Sequence, residues 1–159
     1  MSLRLNRRSV LLAAVAAALA PGAAASAPHL PPRILFVCQF GTVKSPIARE
    51  LLKRRAAERG LAIKVAARGI TPQRHMTPEL LARLKRDGIN PSAEPLQKLR
   101  ASDIASADLV IAFDRLPAHF RPRHFEDWSD LPSVVNDYDQ ARPILDGRID
   151  QLLRSLPRR

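Results

Sequence analysis

The sequence predicts an α/β domain from Arg33 to the C-terminus: a parallel sheet with helices on both faces. Two runs, Arg33–Cys38 and Ala107–Phe113, have the nearly continuous apolar character of strands buried on both sides. The segments between them carry helix caps and apolar residues at helical spacing. Strands that alternate with helices make a parallel sheet with right-handed crossovers.

The chain begins with a segment of different character. Met1–Ala27 has a basic start (Arg4, Arg7, Arg8), an apolar run from Val10 to Ala20, and small residues ending in Ala25-Ser26-Ala27. This is the pattern of an export signal, with cleavage expected after Ala27 or, because Pro28 is a poor neighbour for a cut, after Ala25. The run is too short to span a bilayer as a helix. The paired Arg7-Arg8 before a mild, Ala-rich stretch resembles a twin-arginine leader and implies an exported or periplasmic protein. Residues 28–32, with Pro28, Pro31 and Pro32, read as a short stiff linker.

In the domain, the first strand is Arg33–Cys38. A helix opens at Ser45-Pro46, since proline suits the first helical position, and Ile47, Leu51 and Leu52 form its core stripe up to Gly60. Leu61–Ala67 reads as a second strand. Thr77-Pro78-Glu79 caps a helix that runs through Leu80, Leu81 and Leu84 to Gly88. A helical turn at Ser102-Asp103 precedes the third strand, which ends at Asp114. Pro117–Pro132 is rich in Pro, His and Arg, with a short fourth strand placed near Phe125. An amphipathic helix, Pro143–Leu156, closes the chain.

Composition narrows the chemistry. Cys38 is the only cysteine, which excludes an internal disulfide and a Cys-rich zinc site. Net charge is +11; three of the 26 basic residues lie in the acid-free leader, leaving 23 basic against 15 acidic residues. That surface favours anionic partners. The basic residues are spread along the chain and no aromatic-basic platform appears, so nucleic acid is not an expected partner. His75, His119 and His124 lack metal-ligand spacing and read as surface or turn histidines; Trp128 reads as a packing anchor.

The chemistry concentrates in Cys38-Gln39-Phe40-Gly41-Thr42-Val43-Lys44-Ser45-Pro46. A loop between a strand's carboxyl end and a helix N-terminus can turn several N–H groups inward as a nest for an oxyanion. The nest and the helix dipole both favour a thiolate at Cys38. Lys44 adds a full positive charge. Ser45 either hydrogen-bonds the thiolate or caps the helix, and Gly41 relieves strain where the loop turns. The bland alternative is a buried structural cysteine at a strand end.

Cys-x5-basic-Ser-Pro after an apolar strand resembles the phosphate loop of low-molecular-weight protein tyrosine phosphatases and their arsenate-reductase relatives. Ala67-Arg68-Gly69, Lys98-Leu99 to Asp103, Ala107–Asp114 and the last helix extend the resemblance over nearly all of the chain after Pro32. It implies a three-layer sandwich with a four-stranded parallel sheet. It further implies attack by Cys38 on phosphorus, a cysteinyl-phosphate hydrolysed by water, an Asp as acid and then base, and no metal or other cofactor. The phosphate-binding positions are Gln39, Phe40, Gly41, Thr42, Val43 and Lys44. The expected substrate is a phosphorylated protein or a small phosphomonoester, with phosphate-like oxyanions as ligands.

Three departures stand out. Lys44 replaces the family's Arg, exchanging a planar two-point fork for one compact charge. Phe40 and Gly41 stand where the family has Gly and Asn. No Asp-Pro acid is evident: Asp137, next to Tyr138, is the first candidate, Asp139 the second, and an alignment anchored on Trp128 and Pro132 puts Ser133 at the acid's place with Asp130 as nearest carboxylate. Lys44 and the uncertain acid make a weakly active oxyanion-binding homologue the alternative function. Arsenate reduction by a cysteine relay is excluded for a chain whose only cysteine is Cys38, unless the second thiol is external.

Overall fold

The strand Arg33–Cys38 (β1) is buried from Ile34 onward and lies inside the sheet. The computed structural model describes residues 30–156. After β1 come α1 (Lys44–Glu58), β2 (Lys64–Gly69), α2 (Pro78–Arg86), α3 (Ala101–Ser106), β3 (Leu109–Ala112), β4 (Phe125–Asp127) and α4 (Tyr138–Ser155). The sheet has four parallel strands in the order β2-β1-β3-β4.

Successive side chains of a strand point to opposite faces, and β1 divides its residues between two cores accordingly. Ile34, Phe36 and Cys38 pack with Leu51 and Leu52 of α1, Leu84 of α2 and Leu145, Ile149 and Leu153 of α4. Leu35 and Val37 pack with Leu99, Ala107 and Ile104 of α3. The result is a three-layer sandwich. Each fully buried Leu or Ile contributes about 2 kcal/mol by leaving water. Trp128 anchors the region after β4: its ring lies 5.9 Å from Phe36 and 5.8 Å from Phe113, within the range where aromatic pairs attract.

Thr77 caps α2 as its sequence implies, its hydroxyl accepting the Leu80 N–H at 3.2 Å. The third strand is shorter than the expected Ala107–Phe113, and two elements start well away from where the sequence puts them. The second strand is Lys64–Gly69, further along than Leu61–Ala67, because Lys64 N–H bonds the Pro32 carbonyl and starts the ladder there. Leu61 and Ile63 still pack on the core, just ahead of the strand. The last helix starts at Tyr138 rather than at Pro143. Asp137 caps it by accepting the Gln140 N–H, and buried Tyr138 and Ala141 add a turn that outweighs the bond Pro143 cannot donate.

The expected export signal, Met1–Ala27, lies outside the described residues. Among the described residues no helix is long and apolar enough to cross a membrane.

Candidate active site

Cys38 ends β1, paired with Gly69 of β2. Its neighbours β2 and β3 lie on opposite sides of β1. A crevice outside the carboxyl ends of strands at such a switch point is where open α/β sheets bind ligands.

The loop after Cys38 is fixed from outside. The carbonyls of Cys38, Gln39 and Phe40 accept the N–H groups of Ile70, Thr71 and Gln73 at 3.1, 2.9 and 3.1 Å. The Thr42 hydroxyl donates to the Gln73 carbonyl at 2.9 Å, so it faces this segment and not the thiol. Gly41 has φ +70, and a Cβ there would stand 2.7 Å from the Gly69 nitrogen. A Cβ on Gly69 would in turn meet the Phe40 carbonyl carbon at 2.8 Å. Two glycines therefore let the loop lie directly on the end of β2.

Two backbone donors of the anchored loop have side-chain partners at the site. Gly41 N–H donates to Cys38 Sγ at 3.2 Å. Gln39 N–H donates to Asp114 Oδ2 at 2.8 Å. Among the described residues, the N–H groups of Phe40, Thr42, Val43, Lys44 and Ser45 meet no protein acceptor. Such a row of N–H groups at a helix start is the arrangement that holds an oxyanion.

The thiol is buried, and Ser45 Oγ, fully buried, lies 3.1 Å from Cys38 Sγ. The same hydroxyl is 3.4 Å from the Arg68 carbonyl. It has one proton, which can serve either the carbonyl or a thiolate. Lys44 extends along the site, and its ammonium donates to the Leu131 carbonyl at 3.4 Å.

A cavity of about 430 Å³ opens over the thiol, lined by Cys38, Gln39, Phe40, Val43, Lys44, His75, Asp114 and the turn from Ser133 to Asn136. The Phe40 and His75 rings meet at 5.2 Å on its wall. Gly41 and Thr42 belong instead to an adjoining cavity of about 360 Å³. A larger shallow depression along α2 is lined by Glu79, Ala82, Arg83, Lys85 and Arg86 and holds no nucleophile.

The acid candidates are elsewhere. Asp137 caps α4 and does not line the cavity. Asp139 pairs with Arg83, whose hydrogen bond holds its carboxyl below the usual range. Asp130 pairs with Arg148 at 2.6 Å and is lowered in the same way. Ser133 lines the cavity.

The sequence reads His75 as a surface or turn histidine and Asp114 as the end of the third strand, and offers neither as a site residue. The available signal for Asp114 is its position at a strand's carboxyl end. Its pairing with Gln39, 75 residues away, has no local signature. Among the described residues no group of three His, Cys, Asp or Glu side chains is arranged to hold a metal ion.

Comparison with known proteins identifies the family and the fold. A family model described as low molecular weight phosphotyrosine protein phosphatase matches residues 33–147. The structure of YfkJ from Bacillus subtilis is similar, with TM-score 0.66 and 22% identity over 81% of this chain and 96% of that one. A low molecular weight protein tyrosine phosphatase from T. tengcongensis superposes with TM-score 0.63 and 22% identity, over 79% of this chain and 99% of that one. A thioredoxin-dependent arsenate reductase from Corynebacterium glutamicum is 28% identical with TM-score 0.63, over 81% of this chain and 63% of that one. No curated protein matches the chain in sequence.

Proposed function

The chain belongs to the low molecular weight phosphotyrosine protein phosphatase family, and from that membership we propose that it hydrolyses phosphomonoesters through a cysteinyl-phosphate on Cys38. The observation that carries the reading is the buried Cys38 thiol at the start of a loop whose N–H groups from Phe40 and Thr42 to Ser45 have no protein acceptor among the described residues. The phosphoryl oxygens take those N–H groups, with Lys44 supplying charge, and the phosphorus then faces Sγ. The Ser45 hydroxyl turns its proton from the Arg68 carbonyl to the thiolate and stabilises it. Attack forms the S–P bond as the ester oxygen leaves, and water then releases phosphate. Substrates are a phosphorylated protein, with phosphotyrosine the leading case, or a small phosphomonoester. The Met1–Ala27 signal supports action outside the cytoplasm.

A second reading, an oxyanion-binding homologue with little turnover, is favoured by Lys44. One ammonium, shared with the Leu131 carbonyl, replaces a two-point fork. The test is hydrolysis of p-nitrophenyl phosphate under reducing conditions. Turnover that disappears in Cys38→Ser supports the hydrolase. Vanadate binding without turnover supports the binding module, and failure of both removes the phosphate-site reading.

A further inference from the structure

Phosphomonoester cleavage needs a proton for the departing oxygen and a base for the water that follows. We propose that Asp114, at the carboxyl end of β3, is that acid and base. This rests on the hydrolase reading of Cys38.

The placement of carboxylates carries the inference. Among the described residues, Asp114 is the one carboxylate lining the cavity that contains the thiol. Asp130 and Asp139 are held by Arg148 and Arg83 outside it. Asp137 accepts the Gln140 N–H as the cap of α4 and does not line the cavity. Asp114 has no cation partner within ion-pair distance among the described residues. One of its oxygens, Oδ2, is fixed by the Gln39 N–H at 2.8 Å. That bond holds the carboxyl against the first residue of the phosphate-binding loop, and the other oxygen is left for proton transfer. Ser133, which also lines the cavity, can neither give nor take a proton readily.

In the first step the S–P bond forms, the P–O bond to the leaving group breaks, and the Asp114 proton goes to the leaving oxygen. In the second, water oxygen bonds phosphorus, the S–P bond breaks, Cys38 leaves as thiolate, and the water proton returns to Asp114. The cycle restores every proton and uses no other reactant.

The experiment is first-turnover release of alcohol or phenol from p-nitrophenyl, phenyl and benzyl phosphate by the full chain, its Asp114→Asn variant and its Asp137→Asn variant. Asparagine keeps an oxygen to accept the Gln39 N–H and removes the proton. p-Nitrophenolate leaves without help, whereas phenoxide and benzyl alkoxide do not. Asp114→Asn is therefore expected to slow p-nitrophenyl phosphate by less than about tenfold and the other two by about a hundredfold or more, the range of general-acid contributions. Vanadate binding by the variant shows that its loop is intact. Asp137→Asn is expected to leave the leaving-group dependence unchanged. Equal losses on all three esters, no loss, loss of vanadate binding by Asp114→Asn, or a leaving-group-dependent loss in Asp137→Asn would each overturn the assignment. A wild-type protein silent on all three esters sinks the hydrolase reading itself, and this inference with it.

Discussion

The Cys38 thiol and the Ser45 hydroxyl lie 3.1 Å apart at the start of α1, and the hydroxyl is within 3.4 Å of the Arg68 carbonyl. A single proton shared between a carbonyl and a sulfur couples the state of the thiol to the orientation of Ser45. With a thiol, the hydroxyl donates to Arg68 and accepts from sulfur. With a thiolate, the proton turns to sulfur, beside the Gly41 N–H at 3.2 Å. Hydrogen bonds to a charged group are worth about 1.5–3 kcal/mol. Ser45→Ala should therefore lower the rate of Cys38 alkylation by iodoacetamide at neutral pH, and aryl phosphate turnover, by about tenfold to a hundredfold. The fold should survive, since one hydroxyl is lost without a backbone change.

Gly41→Ala tests the close approach of the loop to β2. Its φ of +70 disfavours any side chain, and a Cβ would press on the Gly69 backbone at 2.7 Å. Left-handed strain costs about 1–3 kcal/mol, before the contact is counted. Isothermal titration should show vanadate affinity lost or greatly weakened, with the urea midpoint also lowered. Retained affinity would mean that the loop does not need this contact to hold its shape.

Lys44→Arg restores the two-point fork. A preorganised donor to the transition state is worth about 3 kcal/mol, so the variant should turn over p-nitrophenyl phosphate faster than wild type. The gain should appear in kcat more than in KM, because the fork grips the planar phosphoryl group of the transition state best. A change confined to KM would show that the residue at this position contributes uniform binding and no transition-state stabilisation.

Acid stability follows from two carboxylates. Asp130 and Asp139 are lowered chiefly by hydrogen bonds from Arg148 and Arg83. Their stabilising contribution is present above the ordinary carboxylate value and is lost as pH falls through the lower folded value, below about pH 4. Both are solvent-exposed, so the contribution is small and salt-sensitive. Urea midpoints at pH 6 and pH 3 should differ less in the Asp130→Asn, Asp139→Asn double variant than in wild type. An equal or larger pH effect in the variant would show that other carboxylates dominate.

The parts of the site legible in the sequence are those made by neighbouring residues. β1, the loop from Cys38 to Lys44 and the start of α1 form one contiguous segment, whose apolar run, glycine and Ser-Pro each have a local physical meaning. The start of β2 lies later than its apolar pattern suggests because Leu61 and Ile63 are apolar for packing ahead of the strand rather than within it. The start of α4 lies earlier than Pro143 suggests because proline is a strong signal at a first helical turn, and the cap at Asp137 extends the helix across it. Asp114 and His75 reach the cavity through tertiary contacts, with Gln39 and Phe40 respectively. No spacing in the chain reports such contacts. Ser133 was reachable only through alignment on Trp128 and Pro132.

The central claim is a covalent phosphoryl group on Cys38. The direct measurement is acid quenching of the full chain during turnover of p-nitrophenyl phosphate, followed by mass analysis of its peptides. One phosphoryl group is expected on the peptide containing Cys38, lost on standing at neutral pH and absent from Cys38→Ala. Undiminished turnover by Cys38→Ala, or a phosphoryl group on another residue with Cys38 unmodified, would contradict it.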